Sequence, residues 1–246
     1  MRATVAAAAC LILLSGCAQD RDAQAPRPTP AAEPEFVNGG ECPASRHDEL
    51  PPDAGCVSSV TEAGERLLVY ALVDAEDKPR SWWMRFSSGG DSVGQRLRAG
   101  HVTSYPRAVG VTDLDDDGRR EWWVKVVDYA SHGAPWAGLN VFLFEGDGLS
   151  PVTYEGRPLA VDFGGISRLG EGAACRGGDL VVLRVWALDR QNTRWRVSER
   201  TYDLEGTRAR LVDREQRLLV VDSYTDPDLV RNYRVQCDGS TFTPFG

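Results

Sequence analysis

The chain has 246 residues, of which 26% are charged, and a formal net charge of −8 at pH 7. This acidic balance argues against a nucleic-acid partner and against direct adhesion to anionic lipid, because both need basic patches. Residues 37–246 have the length and composition of a single folded domain.

The first 16 residues have the composition of a secretory signal, because Arg2 precedes the uncharged apolar run 3–14. The run is too short for a membrane-spanning helix, which needs about 20 residues. The sequence Leu14-Ser15-Gly16-Cys17 resembles the lipobox of bacterial lipoproteins. That resemblance implies that residues 1–16 are removed and that Cys17 carries lipid on the extracytoplasmic face of the cell membrane. An ordinary signal peptide with a chance cysteine is the alternative.

Residues 17–36 comprise this cysteine and a segment rich in proline and alanine, which contains no large apolar residue before Phe36. Such a segment cannot bury a core, so we expect a disordered tether between the lipid and the domain at 37–246. A structured N-terminal arm is the alternative.

Four cysteines lie in the domain: Cys42, Cys56, Cys175 and Cys237. An even number in an exported protein predicts disulfides, and four cysteines allow three pairings. We favour Cys42–Cys56, which closes a short loop containing proline and glycine. The second bridge is then Cys175–Cys237, which joins the C-terminal strand to the middle of the domain. A metal site is the competing interpretation, but no Cys-x-x-Cys pair supports it.

A repeat of 58 residues runs through the domain. Its copies begin near positions 81, 139 and 197, and each contains an aromatic residue, a turn with glycine or aspartate, and a second short strand. The aligned aromatic residues are Phe86, Phe144 and Tyr202. A partial fourth copy is predicted from Tyr233 to Gly239. Each full copy follows a β-rich run that begins beside an acidic residue, at 64–74, 120–129 and 178–189.

These runs mix alternating and continuous apolar stretches, a pattern typical of strands buried on both faces. The predicted fold class is all-β: a small or incomplete β-propeller-like array of about three four-stranded units, with a β-sandwich as the alternative. Helical signals are scarce. Asp226-Pro227 predicts an N-cap and a first turn just before the last strand.

The sharpest chemical signal is the segment 113–121, DLDDDGRRE, which has carboxylates at positions 1, 3, 5 and 9 and glycine at position 6. Calcium prefers about six to eight oxygen ligands, and alternate aspartates on a tight loop converge on one point. An EF-hand is excluded because strands flank the loop and Val124 stands at position 12. An acidic turn without metal is the alternative. The predicted ligands are Asp113, Asp115, Asp117, the backbone carbonyl of Arg119, and Glu121.

This strand, D-x-D-x-D-G-x-x-[DE], strand arrangement is similar to the calcium loop of FG-GAP or VCBS repeats, which build integrin-type β-propellers. The resemblance covers residues 105–157 and implies one structural Ca²⁺. The corresponding segment of the next unit, 171–179, has lost most of its carboxylates. The signal followed by a single domain also resembles exported proteins of actinobacteria.

Candidate ligand-binding residues are the tryptophans in paired positions and the loop around His132. Neighbours on a strand face opposite sides, so the pairs Trp82-Trp83 and Trp122-Trp123 each direct one indole to each face. The alternative is that these strands pack on both sides. The candidates are Trp83, Trp123, His132 and Trp136.

The sequence contains no His-Glu-x-x-His, P-loop or Gly-x-Gly-x-x-Gly motif. We therefore expect a monomeric, non-enzymatic module that binds an extracellular protein or glycan. The alternative is an envelope glycan or peptide hydrolase whose site lies in the loops around His132.

Overall fold

A computed structural model describes residues 49–97, 105–131, 134–166, 168–237 and 241–242; for 127–131, 134–136, 166 and 241–242 only the backbone is described. The predicted signal peptide (1–16), the predicted lipid-bearing Cys17 with its predicted tether (17–36), Cys42 and His132 lie outside these residues.

Two β-sheets contain almost all of the regular structure, and nearly all neighbouring strands are antiparallel. The first sheet is a meander of four strands in sequence order: β1 (Ala54–Glu62), β2 (Glu65–Val73), β3 (Pro79–Ser88) and β4 (Asp91–Arg96).

The second sheet has 13 strands. Its first part contains β5 (Arg107–Thr112), β6 (Glu121–Ser131), β7 (Ala134–Glu145), β8 (Gly148–Pro151), β9 (Thr153–Tyr154), β10 (Arg157–Pro158) and β11 (Ala160–Ile166). Its second part contains β12 (Leu169–Arg176), β13 (Asp179–Ala187), β14 (Arg194–Glu205), β15 (Arg208–Val220), β16 (Val235–Gln236) and β17 (Thr241–Phe242). Helix α1 (Pro227–Val230) and a 3₁₀ turn (Arg231–Tyr233) precede β16.

The predicted repeat corresponds to three antiparallel meanders, β1–β4, β5–β8 and β12–β15. Their last hairpins turn at residues 89–90, 146–147 and 206–207, where the sequence places its turn residues. The turns form because glycine adopts the left-handed conformation that they require, as Gly146 does with φ 61°. The all-β class and its four-stranded units therefore follow the sequence.

The propeller-like array is not found: the part of the chain that the structure describes contains no closed propeller or barrel. The blades of a propeller are separate four-stranded sheets. Here β11 pairs with both β7 and β12, so the second and third meanders share one continuous sheet. The predicted fourth copy is also wrong in its described part, because Tyr233 belongs to the 3₁₀ turn and Val235 pairs in parallel with Ala173 of β12.

Strand β6 is buried on both faces from Glu121 to Val126 and separates two hydrophobic cores. Trp122 lies in the first core, with its ring centroid 5.5 Å from that of Phe86 on the first sheet. Trp123 lies in the second core, which is formed by residues of β5–β7 and β11–β15. The main residues of the first core are Leu67, Val69, Trp82, Met84, Phe86, Trp122, Val124 and Phe142. Those of the second core are Leu114, Trp123, Leu139, Val141, Val161, Phe163, Leu180 and Tyr202.

The C-terminal segment covers the outer face of β12–β14. As predicted, Asp226 caps α1, and its side chain accepts the amide N–H of Asp228 at 2.8 Å. Tyr233 then packs edge-on against Trp195 with ring centroids 6.4 Å apart. The predicted Cys175–Cys237 disulfide is confirmed and holds the end of this segment to β12. Cys56 is also disulfide-bonded, and its predicted partner Cys42 lies outside the described residues.

The close approach of the C-terminal segment to β12 predicts the effect of replacing Gly172 with alanine. A Cβ at Gly172 would lie 2.6 Å from the backbone carbonyl oxygens of Asn232 and Arg234, whereas a Cβ at Gly94 in β4 would meet no atom within 4 Å. Gly172→Ala should therefore lower the free energy of unfolding by about 2 kcal/mol. Gly94→Ala, the matched control, should change it by less than about 0.5 kcal/mol. Urea denaturation measures both, and equal effects would contradict the packing described.

Candidate metal site and sheet groove

The loop between β5 and β6 brings three predicted ligands together. Asp113, Asp115 and Asp117 each place a carboxylate oxygen so that the three atoms lie within 4.8 Å of one another. The chain makes this tight curve because Asp116 (φ 58°) and Gly118 (φ 84°) both adopt the left-handed conformation. Alternate residues then point inwards, as the sequence pattern predicts.

Backbone amides fix the positions of these carboxylates. Asp113 accepts from the N–H of Asp117 at 3.1 Å and from the N–H of Gly118 at 2.9 Å. Asp117 accepts from the backbone N–H of Arg119 at 2.7 Å and from its Nε–H at 2.6 Å. The loop is therefore organised by its own side chains before any ligand binds.

The electrostatics of the loop reflect the crowding of negative charge. Burial raises the pKa of Asp115 above its ordinary value, and the charge of Asp117 raises it further. The hydrogen bond from Arg119 lowers the pKa of Asp117. Arg119 also lies 3.6 Å from a carboxylate oxygen of Glu145. One guanidinium thus offsets part of the charge of the loop.

The donor set fits a hard cation such as Ca²⁺. Oxygens that bind Ca²⁺ lie about 2.3–2.6 Å from it, so two ligands on opposite sides are at most about 5 Å apart. The three aspartate oxygens satisfy that limit. Bound Ca²⁺ would compete with Arg119 for Asp117, and the Arg119 carbonyl and water would complete the coordination. The role of the ion there would be to neutralise the carboxylates.

Glu121, the predicted fourth carboxylate ligand, does not join this cluster. Its side chain is only 2% exposed, and Oε2 accepts the backbone N–H of Leu114 at 2.7 Å. Burial raises its pKa to about 8, against the opposing effect of the Leu114 hydrogen bond. The charges of the nearby Asp115, Asp113 and Asp117 also raise the pKa of Glu121. Glu121 is the first residue of β6, and its hydrogen bond to Leu114 fixes the start of the loop.

Of the predicted tryptophan sites whose side chains the structure describes, Trp83 and Trp123 pack in different clusters. Trp123 is completely buried and its indole N–H donates to Thr112 Oγ1 at 2.9 Å, so the prediction that it contacts a ligand is corrected. The reason is that β6 packs on both faces. Trp83 is half-buried beside Tyr70, and its N–H donates to Ser81 Oγ at 3.0 Å. His132 and the side chain of Trp136 lie outside the described residues.

A half-open groove on the second sheet was missed by sequence reasoning. It has a volume of about 550 Å³. Cross-strand pairing explains its floor: Glu171 lies opposite Arg184, Arg184 opposite Ser198, and Ser198 opposite Gln216. Four consecutive strands, β12–β15, supply one residue each, and the row exists only because of their exact register, which the sequence does not reveal. The polar and aromatic residues that line the groove are Asp162, Glu171, Arg184, Trp186, Ser198, Arg200 and Gln216.

Two carboxyl groups meet at one wall of this groove. Asp162 of β11 and Glu171 of β12 are hydrogen-bonded to each other through their side chains. Arg184 Nε lies 3.0 Å from Glu171 Oε1. Burial raises the pKa of Glu171 to about 7, and the charge of Asp162 raises it in the same direction. The pair therefore holds a proton near neutral pH.

Comparison with protein-family models, curated proteins and solved structures gives no match to this chain. No helix in the described part of the chain is both long and apolar enough to cross a membrane.

The shared proton predicts how stability depends on pH. Between the ordinary pKa of a glutamate, 4.5, and about 7, the folded state binds more protons than the unfolded state. The contribution of this pair to the free energy of unfolding is therefore fully present below pH 4.5, and it is lost as the pH rises through about 7. The groups that face Glu171 are Asp162, Arg184 and Arg200. Because the groove admits solvent, we expect a loss on the order of 1 kcal/mol between about pH 5 and pH 8.

Urea unfolding at the two pH values tests this prediction. Glu171→Gln keeps a neutral side chain throughout, so it should remove that part of the pH dependence. Glu205 is an exposed carboxylate in the β14–β15 hairpin, so Glu205→Gln should show the same pH dependence of stability as the native protein. An identical pH dependence in Glu171→Gln and in the native protein would show that the pair does not share a proton.

Proposed function

We propose that this protein is an extracytoplasmic lipoprotein, held at the cell membrane by Cys17, whose β domain is a non-enzymatic binding module with one structural calcium ion. The observation that carries the calcium part is the convergence of Asp113, Asp115 and Asp117 in a loop with an ordered backbone. The loop resembles that of FG-GAP repeats, although the surrounding sheet is not a propeller.

The position of the loop favours a structural role for the ion. Leu114 is buried in the second core, between the predicted ligands Asp113 and Asp115. The turn between β12 and β13 closes against the other side of the loop, because a Cβ at Gly178 would lie 3.2 Å from the carbonyl oxygen of Asp115. A cation that relieves carboxylate repulsion would therefore stabilise the contact between the second and third meanders.

The disulfides support an extracytoplasmic location, since such bonds persist in oxidising compartments. Calcium sites of moderate affinity are typical of extracellular modules as well. The anchor at Cys17 and the tether at 17–36 rest on the sequence, and their lipid would connect the domain to the membrane. The partner of the module is then an extracellular protein or glycan.

The alternative of a hydrolase centred on His132 rests on the sequence alone. His132 lies outside the described residues, and so do the side chains of 127–136 that surround it. We therefore favour the binding module, because the described residues include both the hydrogen-bonded aspartate loop and the groove on β11–β15.

Calcium binding gives the first test of the proposed function. The chelator-treated full chain should bind one Ca²⁺ with a Kd on the order of 10⁻⁴ M in calorimetry. At about 10 mM Ca²⁺ the free energy of unfolding should then rise by about 2.7 kcal/mol. Asp115→Asn should abolish both effects, whereas Asp91→Asn, in the exposed turn of β3–β4, should abolish neither. No heat and no change in melting with calcium would mean that the loop is only a turn.

The lipid anchor gives the second test. In cells grown with an alkyne analogue of palmitate, the native chain should carry the label and sediment with membranes. Cys17→Ser should be unlabelled, because it lacks the thiol that accepts the lipid. Cys10→Ser, which changes a cysteine inside the predicted signal, is the matched control and should behave as the native chain. Labelling of Cys17→Ser to the level of the native chain would contradict the anchor.

A further inference from the structure

The groove on β11–β15 offers a ligand site whose position does not involve the aspartate loop. Its floor consists of cross-strand rows on one face of the sheet. The central row runs from Glu171 through Arg184 and Ser198 to Gln216, and the next row pairs Trp186 with Arg196. The volume of about 550 Å³ lies within the usual range of small-molecule sites.

A second cavity extends this groove along the sheet. It has a volume of about 510 Å³ and shares the lining residues Ala160 and Arg200 with the first. Tyr154 lines the second cavity, and Trp186 lines the first. The combined depression is therefore elongated, with an aromatic residue in each half and Arg200 between them. An elongated ligand fits this shape better than a compact one.

The groove carries groups of both charge signs, so its net charge is small; the second cavity contributes one of each, Glu155 and Arg157. Asp162 and Glu171 hold a proton between them near neutral pH, as the raised pKa of Glu171 indicates. Arg184 and Arg200 supply positive charge on the adjoining strands. A strongly cationic ligand would meet the two arginines, and a strongly anionic ligand would meet the carboxylates. Charge complementarity therefore favours a neutral ligand.

The hydrogen-bonding groups of the groove are mixed in type. Carboxyl oxygens accept, the Arg184 guanidinium donates, and the Gln216 amide and the Ser198 hydroxyl do both. Such a lining suits a ligand that carries many hydroxyl groups, since each hydroxyl both donates and accepts. Trp186 is half-buried, and its ring lies 5.7 Å from the Arg196 guanidinium. The flat indole can pack against the apolar C–H face of a sugar ring.

We propose that the groove on β11–β15 binds a neutral oligosaccharide, with Trp186 as its stacking platform and Arg184 as its principal donor. This inference names the ligand class of the proposed binding module and rests on that function, but not on calcium.

The groove has the geometry of a binding site rather than that of a glycosidase. The two catalytic carboxyl groups of glycosidases are separated by about 5 Å in retaining enzymes and by more in inverting ones, which leaves room for the sugar or water between them. Asp162 and Glu171 instead hydrogen-bond directly to each other. A saccharide therefore binds beside the pair and is released unchanged.

The test is a binding measurement on the full chain in a detergent that contains no sugar. The chain is applied to a broad array of neutral oligosaccharides, with sialylated and sulfated glycans and tetralysine as charged probes. The best neutral probe is then titrated by calorimetry. Trp186→Ala and Arg184→Gln should each weaken its binding by about tenfold or more. Tyr224→Ala and Arg190→Gln replace exposed residues outside the groove and should bind as the native chain does.

Thermal melting of each variant shows whether the fold is retained, and a calcium-free titration separates this inference from the calcium proposal. Neutral saccharide binding that survives chelation and depends on Trp186 and Arg184 supports the groove, whatever the calcium titration gives. Absence of saturable binding to every neutral saccharide would overturn it. Preference for tetralysine or for anionic glycans would also overturn it, as would binding that is unaffected in both groove variants with native melting temperatures.

Discussion

The burial of strand β6 on both faces is the constraint on which the rest of the structure depends. Trp122 and Trp123 are neighbours in the chain, yet their indoles fill the first and the second core respectively. Each indole is at most 1% exposed, so a displacement of β6 would open a cavity in both cores at once. The loop that precedes β6 is therefore attached to one of the most firmly held strands of the molecule.

This attachment connects the core to the proposed function. Glu121 is the first residue of β6, and its buried carboxyl group holds the amide of Leu114, so the aspartate loop begins and ends at fixed points. The energetic consequence is that little conformational entropy remains to be lost when a cation binds. Bound calcium would strengthen the existing contact between the second and third meanders. The groove on β11–β15 lies on the same sheet, and stability supplied at the loop would preserve the cross-strand alignment of its floor.

The features predicted correctly from the sequence are those set by local chemistry. Turn glycines and alternating strands define the three hairpins, and Asp226 caps its helix because the partner amide is two residues away. The fold beyond the meanders was not predictable, because nothing near β11 in the sequence shows that it pairs with both β7 and β12. The groove escaped notice because the sequence does not show the register of β11 and β12 that brings Asp162 and Glu171 together. The spacing of Glu121 likewise does not show that its carboxyl group is buried and bonded to the amide of Leu114.

We propose that the loop of Asp113, Asp115 and Asp117 is a calcium site. The most direct measurement is X-ray diffraction from crystals grown in millimolar Ca²⁺, with data collected for calcium anomalous scattering. We expect one anomalous peak about 2.3–2.6 Å from an oxygen of each aspartate and from the Arg119 carbonyl, with Glu121 still bonded to the amide of Leu114. A loop with no anomalous peak at saturating calcium, and with Arg119 still paired to Asp117, would contradict it.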